Sequence, residues 1–203
     1  MTTRDSGYNR DLETQMSYLR ELLGRNEIIN QVLKRSPSLE MPNWYLGAGC
    51  LAQTVWNVLH GFDPSFGIKD YDLVYYDAPD LSFNAEANYV EKAAELFSDL
   101  RATVEVKNEA RVHLWYKEHF GYAIAPYESL EHAISTWPTT ATSVAVSTGA
   151  DETLKVYAPF GLNDLLGMIV RPNKVQITRS IYEAKTERWI KLWPKLRLLS
   201  WNG

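Results

Sequence analysis

Two carboxylates, Asp70 and Asp72, stand one residue apart where the polar segment 61–69 gives way to the β-rich run 72–76. Side chains alternate across a strand, so residues i and i+2 project from one face, about 7 Å apart along the backbone. Both can reach one hard divalent cation through oxygen. Magnesium, held by one or two carboxylates and completed by substrate phosphates, suits such a pair. Upstream, Gly47-Ala48-Gly49 forms a small-residue turn directly after the apolar run Trp44-Tyr45-Leu46. There Gly47 and Gly49 would let a phosphate approach the backbone, and the N-terminus of a following helix would add N–H groups and a favourable dipole. Each feature alone has a plainer reading: an acidic residue can cap a solvated turn, and a tight strand-to-helix turn needs glycine with or without a ligand. Their order along the chain favours a joint metal and phosphate site.

The elements that must position these residues follow from periodicity. Leu51, Val55, Val58 and Leu59 recur at helical spacing, with Gly61 as a stop, so a strand near 43–46, a helix near 50–60 and a strand near 70–76 are expected. Two short amphipathic helices are expected over 11–34, broken at Gly24-Arg25-Asn26, and another helix over 85–100. Residues 103–116 alternate almost without a break and predict a long strand or hairpin. Its polar face would carry Glu105, Lys107, Glu109, Arg111 and His113 beside the Asp-bearing strand. Beyond Gly121 a helix over 127–136 is expected. Strands over 140–146 and 154–157 would form a hairpin around Thr148-Gly149-Ala150-Asp151. Helices over 161–169 and 181–192 would follow.

Four ordered segments, WYLGAGCLAQTVWN, DYDLVYYD, VEVKNEARVHLWY and APFGLNDLLGMIVRP, carry a family resemblance. Strand, Gly-small-Gly turn, helix and Asp-x-Asp strand resemble the polymerase-β-type nucleotidyltransferase superfamily. More narrowly, the segments from about Trp44 to Trp193 resemble a small bacterial and fungal nucleotidyltransferase family. The resemblance implies an α/β (α+β) nucleotidyltransferase fold, a short mixed sheet flanked by helices, with a small C-terminal lobe. The chain is expected to divide into N-terminal helices packing on the core over 1–42, a nucleotidyltransferase core over 43–125 and a C-terminal α+β lobe over 126–203, the alternative being that lobe and core form one domain. The resemblance also implies transfer of an NMP group from an NTP to an acceptor hydroxyl, with release of pyrophosphate and with Mg2+ or Mn2+ as cofactor.

Carried onto this chain, the resemblance places Asp70 and Asp72 as catalytic metal ligands. Glu105 on the neighbouring strand is the third carboxylate, with Glu109 as its alternative. The superfamily more often has Asp at the third position, and Gly-Ser or Gly-Gly where this chain has Gly49-Cys50. Here Cys50 would offer a thiol in place of a hydroxyl, in a setting that also suits a small buried hydrophobe. Lys69, Lys107, Arg111 and His113 are candidates to hold the triphosphate or the acceptor; Arg111 could grip phosphate bidentately and Lys107 would act as a point charge.

The 203 residues carry 21 basic and 25 acidic side chains, a net charge of −4, which argues against a generic DNA-binding protein. A single cysteine excludes an intrachain disulfide, and no apolar run is long enough to span a bilayer. A cytoplasmic protein is expected. The basic stretch 179–197, interleaved with Trp189 and Trp193, reads first as the solvated face of a helix whose tryptophans are core. The acceptor could be a small molecule, an RNA or a protein. Two rival readings remain: a non-catalytic nucleotide- or RNA-binding module of the same fold, and a glycosyltransferase, for which the chain is short and the glycine turn ill placed.

Overall fold

The computed structural model describes residues 7–149 and 153–202. The expected hairpin turn at Ala150 and Asp151 lies outside them. Helix α1 (Leu12–Gly24) starts at Asp11, whose side chain accepts from the Thr14 N–H, and α2 (Glu27–Arg35) starts at Asn26, which accepts from Ile28 and Ile29. These caps satisfy N–H groups that lack partners inside the helix. Strand β1 (Trp44–Gly47) leads through Ala48 into α3 (Gly49–His60), which Gly61 ends in a left-handed conformation. Strand β2 (Asp70–Tyr75) follows, and α4 (Phe83–Leu96) carries the chain back so that β3 (Thr103–Asn108) runs parallel to β2.

The remainder is α5 (Val112–Phe120), α6 (Leu130–Ser135), β4 (Ala145–Thr148), β5 (Leu154–Tyr157), α7 (Asn163–Leu166), β6 (Ile169–Val170), α8 (Arg179–Leu192) and β7 (Arg197–Leu198). One mixed sheet has the order β3-β2-β1-β4-β5, antiparallel except between β2 and β3, and β6 pairs with β7 in a small parallel sheet. The chain thus has the mixed α/β architecture expected of it. None of the described helices is long and apolar enough to cross a membrane.

Alternation gives the main sheet two different faces. Leu46, Tyr71, Leu73, Tyr75, Val106 and Val146 point into the main core, where they meet Leu19, Leu22, Leu51, Val55 and Trp56 from α1 and α3. The opposite face buries Tyr45, Val74 and Ala145 beneath Leu130 and Ile134 of α6 and leaves its other end to the carboxylates. Helix α8 is tied to α3 by aromatics: Trp189 and Trp193 meet the Trp56 ring edge-on at 5.4 and 5.6 Å. The Trp193 indole N–H also donates to Asn57 Oδ1 at 2.6 Å. The C-terminal tryptophans are core, as read from the sequence.

Several expected elements need correction. The run 103–116 is not one strand: β3 ends at Asn108, a tight turn takes 109–111, and α5 begins at Val112. Asn108 is the cause. It is buried, its Oδ1 accepts from the N–H groups of Asp77 and Ala110, and its Nδ2 donates to the Asp77 carbonyl. Those bonds turn the backbone where periodicity alone continues it. The helix expected over 161–169 is only the one turn α7 before β6, and the strand expected over 140–146 is β4, shifted to 145–148. Replacing Asn108 with Ala strands three backbone groups and should lower stability by about 2 kcal/mol. Urea unfolding measures this, and an unchanged midpoint would show that Asn108 does not set the end of the strand.

Candidate active site

Register brings the acidic residues together. Asp72 is paired directly with Glu105 across the parallel β2–β3 ladder and with Gly47 across the antiparallel β1–β2 ladder. Side chains of paired residues share a face, so Asp72, Glu105 and, two residues earlier on β2, Asp70 point to the same side of the sheet. The Asp72 side chain is 21% exposed and that of Glu105 41%. Lys107, two residues beyond Glu105 on the same face, places its Nζ 3.1 Å from Asp72 Oδ1 and 2.7 Å from Glu105 Oε2. Burial pushes the Asp72 carboxyl above the ordinary aspartate range against the pull of Lys107, with Asp70 and Glu105 adding to the rise. For Lys107, burial works against the charge, but Asp72 and Glu105 outweigh it and hold the ammonium above the usual lysine value.

The donor set fits a hard cation: two carboxylates side by side in register, a third on the same strand face, and a positive group already drawn between two of them. Among the described residues no three His, Cys, Asp or Glu side chains converge closely enough to enclose a metal without rearrangement. Magnesium does not need such a cage, because it keeps waters and takes phosphate oxygens as ligands.

The glycine turn is built for close approach, by two different neighbours. A Cβ on Gly47 would stand 2.6 and 2.9 Å from ring atoms of Trp137, so that indole packs closely against this position, on the face that Gly47 shares with Asp72. A Cβ on Gly49 would meet only the end of the Gln53 side chain. Between them Ala48 has φ 60° and ψ −128°, a conformation costly for any residue with a Cβ. No side chain caps α3, whose first turn therefore presents uncapped N–H groups next to the carboxylates. Cys50 is fully buried: its thiol donates to the Gly47 carbonyl at 3.1 Å, and burial, reinforced by Asp72, pushes its pKa up. It locks the turn and offers no thiolate.

The remaining sequence candidates divide. Lys69 is exposed and lines both the crevice that holds Asp70 and a second groove with Tyr71, Arg101 and Thr103. Arg111 and His113 leave the strand with the turn at Asn108. Arg111 is committed to Glu86 by an ion pair and to the Leu81 carbonyl, and His113 lies in the first turn of α5. Glu109 falls in the turn, only 6% exposed. In their place α8 supplies two cations that sequence reading assigned to a solvated face. Arg188 lines a crevice with Gln53, Lys69, Asp70 and Trp189. Lys185 lies one turn earlier, its pKa lowered by burial and by Arg188, with Asp72 and Asp70 opposing. Lys69, Lys107, Lys185 and Arg188 therefore surround the acidic cluster.

Comparison with known proteins agrees with this fold. Residues 34–198 match a family model described as nucleotidyltransferase, and the chain belongs to that family. A structure solved by NMR and described as a CCA-adding enzyme head domain is similar over 91% of this chain and 95% of its own, with a TM-score of 0.74 and 23% identity. A tRNA-processing enzyme in an apo form is similar over 95% of this chain and 45% of its own, with a TM-score of 0.51 and 14% identity. A Thermotoga maritima CCA-adding enzyme complexed with tRNA is similar over 95% of this chain and 43% of its own, with a TM-score of 0.48 and 15% identity. This chain thus spans less than half the length of those two chains. At such identities the likeness is one of fold. A search of curated protein sequences finds no match.

Glu109 gives the site a pH signature. Its carboxyl is pushed up to about 7 by burial, with Asp72 adding to the rise and Lys107 opposing it. An unfolded glutamate titrates near 4.3, so the native state holds this proton more tightly over the interval between. The contribution to stability is complete below the unfolded value and is lost as pH rises through the folded one. The loss is on the order of 3 kcal/mol. Wild type should therefore be less stable at about pH 8 than at about pH 5, and Glu109→Gln should remove most of that difference. Equal slopes for the two proteins in urea unfolding would contradict the assignment.

Proposed function

We propose that this chain is a metal-dependent nucleotidyltransferase that moves an NMP group from an NTP to an acceptor hydroxyl. The observation that carries the reading is the in-register pair Asp72 and Glu105, with Asp70 on the same face, beside the uncapped start of α3. Membership of a nucleotidyltransferase family supports the reaction class. Asp70, Asp72 and Glu105 would hold the divalent cations. When bound, such ions stabilise the attacking and leaving oxygens of an in-line displacement at phosphorus.

The chain's own residues do the rest. The N–H groups at the head of α3 receive the β- and γ-phosphates, with Lys69, Lys185 and Arg188 as counter-charges around them. Trp137 packs its ring against Gly47, on the face that Gly47 shares with Asp72. The acceptor oxygen forms its bond to the α-phosphorus, its proton passes to a carboxylate of the cluster, and the bond to the β-phosphate breaks to release pyrophosphate. Among acceptors, the fold shared with a CCA-adding enzyme head domain makes the 3′ hydroxyl of an RNA the first to try.

Pyrophosphate release should be tested with each NTP, Mg2+ or Mn2+, and RNA or small-molecule acceptors. Asp72→Asn should lower turnover at least a thousandfold, roughly 4 kcal/mol of transition-state stabilisation. Lys185→Ala and Arg188→Ala should each raise KM for the NTP about tenfold, or 1.4 kcal/mol, with smaller changes in kcat. One observation favours a second reading, a binding module without turnover: Lys107 lies where a cation would bridge Asp72 and Glu105. NTP binding that needs no metal, with no pyrophosphate from any acceptor, would select that reading.

A further inference from the structure

We propose that the loop joining α3 to β2, together with Arg101, is a docking strip for single-stranded RNA beside the acidic site. Such a strand would be the acceptor of the transfer proposed above, and in that respect the strip rests on that reading. Its own evidence lies in the loop's aromatic rings and in two cations that nothing neutralises.

The loop, residues 61–69, keeps two large apolar side chains out of the core. Phe62 is 39% exposed and Phe66 43%, and their rings meet edge to face at 5.3 Å. A single exposed phenylalanine needs no explanation, but here the backbone beneath the rings is fixed. Buried Asn57 donates from Nδ2 to the Pro64 and Phe66 carbonyls at 3.0 and 2.8 Å. Asn26, at the head of α2, donates to the Pro64 carbonyl at 3.2 Å. Amides from two helices thus hold rigid a loop whose rings stay in solvent. A ring fixed in advance and open on one side can stack a base at little cost in ordering.

Phe66 separates two depressions. Its neighbour Gly67 lines the crevice that holds Asp70 and Arg188. Its other neighbour, Ser65, lines a groove of about 400 Å3 with Arg101 and Thr103, and Lys69 lines both. Thr103 is the register partner of Asp70, so the groove opens beside the carboxylates. Lys69 and Arg101 are exposed, and among the described residues neither side chain takes part in an ion pair or hydrogen bond. The loop's one acid before Asp70, Asp63, is already engaged by the Ser65 N–H and hydroxyl at 2.8 and 2.6 Å. Free cations on either side of an exposed ring fit the backbone and base of a single strand. Arg101 and Lys69 would take phosphodiester oxygens while Phe66 takes the face of a base. A duplex keeps those faces stacked within itself and offers none to the ring.

The test is binding of a fluorescein-labelled single-stranded RNA of about ten nucleotides, followed by anisotropy on the 203-residue chain without NTP or metal. Wild type should bind it, and should bind the same sequence in a duplex more weakly. Phe66→Ala should weaken binding about tenfold, whereas Phe66→Trp should retain it. Arg101→Ala should weaken binding and make the slope of log affinity against log salt shallower by about 0.7. Both positions are exposed, and rescue by Trp separates loss of stacking from loss of the fold. No binding by wild type, equal binding of the duplex, or variants that bind as wild type does would each overturn the strip. Those results would leave the transfer reading to its own assay, pyrophosphate release. RNA bound through Phe66 and Arg101 with no pyrophosphate from any NTP would uphold the strip and count against the transfer reading alone.

Discussion

Everything in the site depends on one pairing, the parallel register that sets Asp72 against Glu105. Two carboxylates on adjacent strands of one face repel, and a sheet tolerates this only where a cation lies between them. Lys107 supplies that cation in the structure. The surrounding framework exists to hold the register: α4 returns the chain so that β3 is parallel, Asn108 stops β3, and Asn26 fixes the start of β2. Asn26 does so by donating to the Tyr71 hydroxyl at 3.3 Å and to Thr54 Oγ1 on α3 at 2.8 Å. A slip of one residue would turn the acids into the core.

The second determinant is the docking of α8. Trp189 and Trp193 pack on Trp56 at the heart of the main core, and the indole of Trp193 is bound to Asn57. Because those tryptophans are anchored, Lys185 and Arg188 on the same helix are carried to the rim beside Asp70. A hydrophobic contact thus sets the electrostatics of the pocket. Lys185 and Arg188 come from more than 100 residues beyond Asp70 and Asp72 in sequence and meet them only through the fold.

What could be read from the sequence was local and periodic. The Gly-Ala-Gly turn, the helix after it and the paired aspartates are each encoded in a few residues, and together with the family resemblance they led to the right fold and the right family. The end of β3 was not legible, because 109–116 keeps an alternating pattern and only the tertiary hydrogen bonds of Asn108 break it. Arg111 and His113 were placed on the wrong element for that reason. Trp137 over Gly47, and Lys185 and Arg188 over Asp70, arise from packing between distant segments, which no spacing rule reveals. Gly47 itself had two readings, room for phosphate or room within the fold, and the structure shows an indole ring against it.

The central claim is that Asp70, Asp72 and Glu105 hold a divalent cation against a triphosphate at the head of α3. The most direct measurement is a crystal structure with Mn2+ and a non-hydrolysable NTP, with the metal located by its anomalous scattering. The account predicts an anomalous peak within bonding distance of Asp72 and Glu105, with the phosphates over Gly49 and Cys50 and flanked by Lys185 and Arg188. Nucleotide bound elsewhere, or bound there without any metal at the acidic residues, would contradict it.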